Sequence, residues 1–327
     1  MSVRVAINGF GRIGRSVLRA ALAGGHGDID IVAVNDIAAP AMAAYLFEYD
    51  SVFGPWRGEV RREDGALVVD GRRMRLTSVR DLAEVDLAGV DVVMECTGRA
   101  GDRAVAEAGL RAGAARVLVS GPAPSADYTV VLGANDEGLR ASHRIVSNAS
   151  CTTNALAPLV RLIDRHWGVE TGWMTTIHCY TGSQPTVDAP AADFARSRAA
   201  ALSMVPTTTS AQRLLDLVLP GLAGRIEGAA VRVPVASVSA VDLTVVLRAP
   251  VGVAAVNAVL SGARGVIGAT ERPLVSSDLR ARPESIVMAL PETRVTAGGL
   301  VRLFGWYDNE WGFSNRMLDV ARLMAGP

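Results

Sequence analysis

The chain has 327 residues, of which half are hydrophobic and a fifth are charged, and its formal net charge is zero. That length favours two domains, and the balanced charge excludes an electrostatic preference for nucleic acid or for an anionic membrane. Three cysteines do not form a disulfide framework, and the sequence has neither a membrane-spanning apolar run nor a signal-peptide pattern. All 33 basic residues are arginine, so no lysine is available for Schiff-base chemistry. We therefore expect a cytoplasmic, enzyme-sized globular protein.

The N-terminal segment predicts a dinucleotide-binding βαβ unit. A buried strand, a glycine-rich turn, a helix and a second strand follow one another within the first 36 residues. The turn has the pattern Gly-x-Gly-x-x-Gly, in which Gly9 permits the tight turn, Gly11 lets the backbone approach a pyrophosphate and Gly14 allows close helix packing. Asp36, at the tip of the second strand, is placed to accept hydrogen bonds from the adenosine ribose and to repel a 2′-phosphate.

Further α/β units follow, and the ends of their strands are expected to line the cofactor crevice. One strand is predicted within residues 89–98 and ends near Thr97 and Gly98, and a later strand ends at Ser120. Carboxyl-terminal strand tips contact the cofactor in such sheets, so these three residues are predicted contacts on the nicotinamide side. Cys96 is expected to pack at a strand end and not to act as a second nucleophile.

A cysteine near the middle of the chain lies at a predicted strand-to-helix turn. Cys151 follows a short strand and several small or hydroxyl-bearing residues, and it precedes an apolar helix expected over residues 154–166. At a helix N-terminus the backbone amides favour a thiolate and can hold an oxyanion. Taken alone, the segment is equally compatible with a nucleophile and with a buried structural cysteine.

After this helix the pattern changes to longer strands, which are expected over residues 171–178, 227–233, 238–247 and 302–307, with a closing amphipathic helix over residues 314–324. An irregular stretch from residue 179 to about residue 197 indicates a functional loop or an interface. His178 ends the first of these strands, 27 residues after Cys151. A lone histidine there is more often a packing or surface residue, but beside a candidate thiolate it becomes the obvious base partner.

Together these segments resemble phosphorylating glyceraldehyde-3-phosphate dehydrogenase of the bacterial type, along essentially the whole chain. The matching stretches are residues 7–15, 33–36, 147–154, 176–178, 230–234 and 306–312. We expect an α/β protein with a Rossmann NAD-binding domain over residues 1–150 and an α+β catalytic domain, with a mostly antiparallel or mixed sheet, over residues 151–313. The C-terminal helix, residues 314–327, is expected to pack back on the first domain.

The resemblance implies a reaction. Cys151 would attack the aldehyde of D-glyceraldehyde 3-phosphate, and His178 would polarise the carbonyl and shuttle its proton. Hydride would pass to NAD, leaving a thioester that inorganic phosphate cleaves to 1,3-bisphosphoglycerate, which is chemistry that suits a thiolate. The resemblance further implies a homotetramer in which the long loop after His178 lies against a neighbour's cofactor. We expect no metal and no nucleic-acid or membrane partner.

The remaining site residues also follow from these motifs and the resemblance. Asn309 matches the family residue that orients the nicotinamide carboxamide, and Arg80 matches one near the adenine end. The expected cofactor-binding set is Gly9, Gly11, Arg12, Ile13, Gly14, Asn35, Asp36, Arg80, Thr97, Gly98, Ser120 and Asn309. Thr181 and Arg232 match the site for the C3 phosphate of the substrate. Ser150, Thr152 and Thr209 match the site for the attacking phosphate, and Ser210 stands where the family has a glycine whose amide helps to bind it.

The chain departs from the family pattern near the phosphate sites. Ser183 replaces the usual acid in the loop after the histidine, several typically basic loop positions are alanine, and Ser210 replaces a glycine. We therefore hypothesise a weaker affinity for anions or a reshaped phosphate pocket. Ala189 replaces a bulkier residue that helps to exclude a 2′-phosphate, although Asp36 still predicts a strong preference for NAD.

Three alternatives stay open at this point. One is a specialised paralogue that keeps the chemistry and tolerates an electrophilic inhibitor of the cysteine. Another is erythrose-4-phosphate dehydrogenase, whose usual pattern lacks the Tyr-Thr and Pro-Thr-Thr-Thr segments found here at residues 180–181 and 206–209. The third is a non-catalytic binding protein, which would not require Cys151, His178 and Asn309 together.

Overall fold

A computed structural model of the protein describes residues 2–326, and the chain divides into two compact units. Unit 1 contains the residues up to Val130, the segment Asp136–Ala149 and the residues from Ser314 onward. Unit 2 contains the segments Val131–Asn135 and Ser150–Phe313. Each unit has its own sheet, and each sheet supplies one of the two cavities described below.

Unit 1 is built on a nine-stranded sheet in the order β3-β4-β5-β2-β1-β6-β7-β9-β8. Its strands are β1 (Val3–Asn8), β2 (Ile29–Asn35), β3 (Val60–Glu63), β4 (Ala66–Val69), β5 (Arg72–Thr77), β6 (Val92–Glu95), β7 (Arg116–Val119), β8 (Tyr128–Thr129) and β9 (Ile145–Ser147). All neighbours are parallel except the β3–β4 and β4–β5 pairs. Helices α1 (Arg12–Leu22), α2 (Pro40–Glu48) and α3 (Arg103–Arg111) follow three of these strands.

The central strand of this sheet marks the topological switch point. β1 pairs with β2 on one side and with β6 on the other, so the chain proceeds outward from β1 in both directions. Crevices at such points, beyond the carboxyl ends of the strands, bind ligands in open α/β sheets. β1 is mainly apolar and is buried at five of its six residues, as expected for a strand covered on both faces.

Unit 2 is built on a mixed, eight-stranded sheet in the order β11-β12-β10-β13-β17-β15-β14, with β16 paired to β17. Its strands are β10 (Val169–Cys179), β11 (Val205–Thr207), β12 (Ile226–Val233), β13 (Ser239–Leu247), β14 (Ile267–Thr270), β15 (Ile286–Ala289), β16 (Arg294–Val295) and β17 (Leu300–Tyr307). Only the β10–β12 and β14–β15 pairs are parallel. Its helices are α4 (Cys151–Trp167), α5 (Ala211–Val218) and α6 (Val253–Gly262). The predicted fold class, a Rossmann domain with a mixed-sheet partner, is confirmed.

The closing helix, α7 (Trp311–Ala325), begins three residues earlier than the sequence pattern predicts. The cause is Asp308, whose buried carboxylate accepts hydrogen bonds from the backbone amides of Glu310 and Trp311, at 3.0 and 2.8 Å. Within unit 1, Asn315 shares a 2.9 Å hydrogen bond with the buried His26 ring, and Arg322 forms an ion pair with Asp28. These contacts hold the helix on the first unit.

Two other predicted boundaries shift for local reasons. The strand predicted within residues 89–98 is limited to β6, because the buried Glu95 carboxylate accepts hydrogen bonds from the amide and hydroxyl of Thr97 and turns the chain. Helix α4 begins at Cys151 and not at residue 154, because Ser150 caps it by accepting a 3.1 Å hydrogen bond from the amide of Thr153.

Candidate active site and cofactor cavity

Cys151 is the first residue of helix α4. The residue two positions earlier, Ala149, is fully buried and has a φ of 54°, a left-handed conformation that is costly for a residue with a Cβ. Ser150 is extended and caps the helix. The strained backbone at Ala149 therefore helps to place the Cys151 thiol at the N-terminus of a 17-residue helix, where backbone amides have no partner within the helix.

His178 lies against this thiol. It is the last residue but one of β10, it is buried, and its Nε2 is 3.6 Å from Cys151 Sγ. Its Nδ1 lies 2.7 Å from the carbonyl oxygen of Cys179 and 2.8 Å from the guanidinium of Arg232. Arg232 reaches this position because β10 and β12 are parallel and His178 is in register with Arg232. The sheet register thus places the His178 ring between the Cys151 thiol and the Arg232 guanidinium.

The titration of the pair is governed by burial. Burial and the nearby positive charge of Arg232 lower the pKa of His178 to about 4, so the ring is neutral near pH 7. Burial also raises the pKa of the Cys151 thiol, against hydrogen bonds at Thr152 and the charge of Arg232, which lower it. The expected preformed thiolate is therefore not favoured, because the loss of hydration outweighs the amides of the helix end. The sulfur begins as a thiol facing a neutral imidazole.

Tyr307, at the end of β17, ties the first turn of α4 to β10. Its hydroxyl lies 2.9 Å from Thr152 Oγ1 and 2.8 Å from Thr176 Oγ1, and all three side chains are buried. Burial raises the pKa of the Tyr307 phenol, so it stays protonated and completes this network. Tyr307 belongs to one of the matching stretches, yet the sequence alone assigned it no role.

A cavity of about 350 Å³ surrounds the cysteine. It is lined by Ser150, Cys151, Thr152, Thr176, His178, Arg196, Thr208, Thr209, Ser210, Ala230 and Arg232. The lining contains two guanidinium groups, several hydroxyl groups and no carboxylate, although Arg196 also pairs with Asp193 outside it at 3.8 Å, so the cavity suits an anion. Arg196 was missed as a site residue because only the course of the irregular loop brings it to the cavity.

The predicted phosphate residues do not all occupy this cavity. Thr181 is outside its lining, and the Thr181 hydroxyl is 2.9 Å from that of Ser183. Ser210 lies in the lining with a φ of −77°, a conformation that serine adopts without strain. The replacement of glycine here therefore changes the shape of the cavity and not the backbone path. Asn309 also lies in unit 2, outside the lining, and is buried beside Cys179.

Unit 1 contains a second cavity, of about 540 Å³, at the switch point of its sheet. Of the predicted cofactor residues, Gly9, Gly11, Asn35, Asp36, Arg80 and Thr97 line it. Arg12, Ile13, Gly14, Gly98 and Ser120 are not among its lining residues. Arg99 and Arg111 line it and were missed; Arg99 could have been found, since it follows the predicted strand tip, whereas Arg111 depends on how α3 packs.

The glycine turn in this cavity fits a dinucleotide pyrophosphate. A Cβ on Gly9 would lie 2.6 Å from the Thr97 amide nitrogen, and one on Gly14 would lie 2.1 Å from the Gly9 carbonyl oxygen, so both positions exclude a side chain. At Gly11, by contrast, a Cβ would have no atom within 4 Å of it, and the residue caps the N-terminus of α1. The open space beside a helix N-terminus is where a phosphate can meet backbone amides.

The acid at the end of β2 is held rigidly. Asp36 Oδ2 accepts a 2.5 Å hydrogen bond from the amide of Phe10, and Oδ1 accepts a 2.8 Å bond from Ala38. Asn35 is buried, and its amide is engaged by Asn8, Thr77 and Val79. Asn35 therefore shapes the rim of the cavity, while Asp36 presents a fixed carboxylate to it.

Two findings concern residues 2–326 as a whole. No group of three or more His, Cys, Asp or Glu side chains among them could hold a metal ion. None of the helices among them is long and apolar enough to cross a membrane.

The Rossmann sheet, its glycine turn and its fixed acid define the class: this is an NAD-dependent oxidoreductase. The family follows from two matches. Residues 3–103 match the family model described as glyceraldehyde 3-phosphate dehydrogenase, NAD binding domain, and residues 150–309 match its C-terminal domain. The chain belongs to the glyceraldehyde-3-phosphate dehydrogenase family, and NAD is its cofactor.

Full-length relatives agree with this assignment. The chain is 49% identical to the glyceraldehyde-3-phosphate dehydrogenase of Xanthobacter flavus over 331 residues, and this alignment covers 99% of each protein. It is 49% identical, with the same coverage, to the enzyme of that name from Pseudomonas aeruginosa, and 43% identical over 333 residues to glyceraldehyde-3-phosphate dehydrogenase 1 of Bacillus subtilis, again covering 99% of each. These names do not favour erythrose-4-phosphate dehydrogenase or a non-catalytic protein.

Proposed function

We propose that the protein oxidises D-glyceraldehyde 3-phosphate to 1,3-bisphosphoglycerate with NAD and inorganic phosphate, and that Cys151 and His178 carry the chemistry. The observation that supports this most directly is the 3.6 Å approach of Cys151 Sγ and His178 Nε2 inside a cavity lined by two arginines. Unit 1 serves as the cofactor domain expected over residues 1–150, and unit 2 as the catalytic domain expected over residues 151–313.

In the first step the Cys151 sulfur attacks the aldehyde carbon as its proton passes to His178. Nε2 can take that proton when Nδ1 carries the ring hydrogen and donates it to the Cys179 carbonyl, 2.7 Å away. The protonated ring can then return the proton to the carbonyl oxygen, which yields a thiohemiacetal on Cys151. The thiol pKa raised by burial makes this base necessary, since little thiolate exists beforehand.

In the second step the carbon of the thiohemiacetal loses a hydride while His178 takes the hydroxyl proton, which leaves an acyl thioester on Cys151. Gly9, Gly11 and Asp36 of unit 1 would hold NAD, which would supply the hydride acceptor when bound. Arg232 lies close to the ring, with its donors 2.8 Å from His178 Nδ1 and 3.1 Å from the Cys179 carbonyl oxygen. The ring then carries hydrogens on both nitrogens, and its Nε2 hydrogen can be donated to the carbonyl oxygen of the thioester.

In the last step inorganic phosphate attacks the thioester carbon, the carbon–sulfur bond breaks, the Cys151 sulfur takes the proton held by His178, and the acyl phosphate leaves. Arg196 and Arg232, together with the hydroxyls of Thr209 and Ser210, line the space in which a phosphate would be held. Ser150 and Thr152 also line it, but their hydroxyls already contact Thr153 and Tyr307, so they contribute mainly by fixing the helix end.

The test is NADH formation from glyceraldehyde 3-phosphate, with arsenate or phosphate as the acceptor and erythrose 4-phosphate as a competing aldehyde. We expect turnover that depends on the acceptor and prefers the triose phosphate. A higher kcat/KM for erythrose 4-phosphate would contradict the proposed substrate. Turnover that survives replacement of Cys151 by serine would contradict the proposed nucleophile.

We further propose a cytoplasmic homotetramer. The loop after β10 carries four large apolar side chains that are strongly exposed in the single chain: Val187, Phe194, Leu202 and Met204, which are 72 to 93% exposed. Several strongly exposed apolar side chains on one loop favour burial against another chain. Three free cysteines fit a reducing compartment. Sedimentation of wild type and of Phe194→Asp tests the assembly, and the variant should shift toward smaller species.

A further inference from the structure

The mechanism above uses the carbonyl of Cys179 but leaves its thiol without a role. Cys179 ends β10, its side chain is fully buried, and its Sγ lies 3.1 Å from Oδ1 of Asn309, which is also buried. Burial raises the pKa of this thiol to about 12, so it keeps its proton. A protonated thiol is a donor, and the amide oxygen of Asn309 is the acceptor that faces it.

Ser239, the first residue of β13, provides a second donor to the same oxygen. Its hydroxyl oxygen accepts a 3.1 Å hydrogen bond from the backbone amide of Cys179. The same hydroxyl donates its proton to Asn309 Oδ1, 3.2 Å away. Cys179 and Ser239 thus place two donors on Oδ1.

These two donors settle which way round the Asn309 amide lies. A flipped amide would exchange these two bonds for contacts of Nδ2 with the Cys179 sulfur, which is a weak acceptor, and with a Ser239 oxygen that already accepts from a backbone amide. With Oδ1 held inward, Nδ2 is the end that remains, and no side chain or backbone group among residues 2–326 accepts from it. The backbone on either side is fixed as well, since the Asp308 carboxylate accepts from the amides of Glu310 and Trp311.

We propose that Cys179 is a positioning residue for the cofactor: with Ser239 it locks the Asn309 amide so that Nδ2 donates to the carboxamide oxygen of bound NAD. The inference rests on the proposed function and on the match of Asn309 to the family residue that orients the nicotinamide carboxamide. An alanine at position 179 would leave Ser239 as the single donor and would let the amide flip, so that an oxygen faces the carboxamide oxygen. A serine at position 179 would keep a donor in the same place.

The experiment compares the binding of NAD with that of ADP-ribose, which lacks the nicotinamide ring. Affinities are measured by titration calorimetry without substrate for wild type, Cys179→Ala and Cys179→Ser. We expect Cys179→Ala to bind NAD about threefold to tenfold more weakly, the range of one net hydrogen bond, and to bind ADP-ribose as wild type does. Cys179→Ser is expected to restore NAD affinity to within about twofold of wild type.

Met174→Ala provides the matched control, since Met174 is buried on the same strand, where it pairs with Gly228 and Leu243. It is expected to lower the melting temperature and to leave the ratio of NAD to ADP-ribose affinity unchanged. The role of Cys179 would be refuted by an unchanged ratio in Cys179→Ala, or by an equal loss for both ligands. If wild type binds NAD no better than ADP-ribose, both this inference and the place of Asn309 in the site are overturned. If wild type shows no turnover but still binds NAD better than ADP-ribose, the result counts only against the proposed reaction.

Discussion

Two alanine substitutions in the glycine turn separate its structural role from its role in cofactor binding. In Gly14→Ala the new Cβ would meet the Gly9 carbonyl oxygen at 2.1 Å and the Ile7 side chain at 3.1 Å, so α1 must move away from β1. Overpacking of this kind costs about 3 kcal/mol, which for a unit of this size lowers the melting temperature by about 6–12 °C. NAD affinity is expected to fall as well, because the turn is displaced.

In Gly11→Ala the new Cβ meets no atom within 4 Å, and the φ of −71° suits alanine. The stability change is expected to be below about 1 kcal/mol. The Cβ nevertheless enters the space that a pyrophosphate would occupy, so NAD affinity should fall by about tenfold or more. Differential scanning calorimetry gives the first quantity and titration calorimetry the second. Wild-type NAD affinity in a stable Gly11→Ala protein would refute the assignment of this turn to the pyrophosphate.

Four further predictions concern the two cavities. Cys151→Ser should lower kcat by more than about a thousandfold while NAD affinity stays unchanged; residual turnover above that level would contradict the nucleophile. The pKa of His178 is about 4 in the folded protein against an ordinary 6.5, so the unfolded chain binds this proton more tightly and stability falls as the pH drops from about 6.5 to about 4. In urea unfolding over this pH range, the free energy of unfolding of His178→Asn should fall by about 3 kcal/mol less than that of wild type. Equal falls in the two proteins would contradict the lowered pKa of His178. Asp36→Asn should raise the ratio of kcat/KM for NADP to that for NAD by about tenfold, and a constant ratio would exclude Asp36 as the discriminator. Ser210→Gly should lower the KM for phosphate about twofold to fivefold, and an unchanged KM would show that the serine Cβ does not crowd the anion.

Much of the fold could be predicted because its signals are local. The alternation of apolar strands with amphipathic helices, and the glycine turn after the first strand, are sufficient for the Rossmann unit. The boundaries that shifted depend on single side chains. The Glu95 carboxylate ends β6 early, and the Asp308 carboxylate starts α7 early. The sequence does not indicate the partners of either carboxylate, because each accepts hydrogen bonds from backbone amides whose positions depend on the tertiary structure.

Some features of the candidate active site could likewise be predicted from local sequence, and others depend on the tertiary structure. The Cys151 turn and the end of β10 are visible as motifs, but their approach depends on a mixed sheet whose register also brings Arg232 beside His178. The ionisation of the thiol could not be predicted from the turn, because the helix end and burial act in opposite directions and only the packed structure shows which is larger. Arg196 and Tyr307 join the site through a loop path and a strand end, and no sequence pattern assigns either a partner.

The most direct test of the account is a rapid-mixing measurement of NADH formation from glyceraldehyde 3-phosphate and NAD, with and without inorganic phosphate. We predict a fast burst, no larger than the amount of enzyme, in the absence of phosphate, and sustained turnover when phosphate is added. Such a burst indicates that the thioester forms and accumulates when no acceptor is present. Sustained NADH formation without phosphate would show that water cleaves the intermediate, and it would contradict the phosphorylating reaction proposed for Cys151.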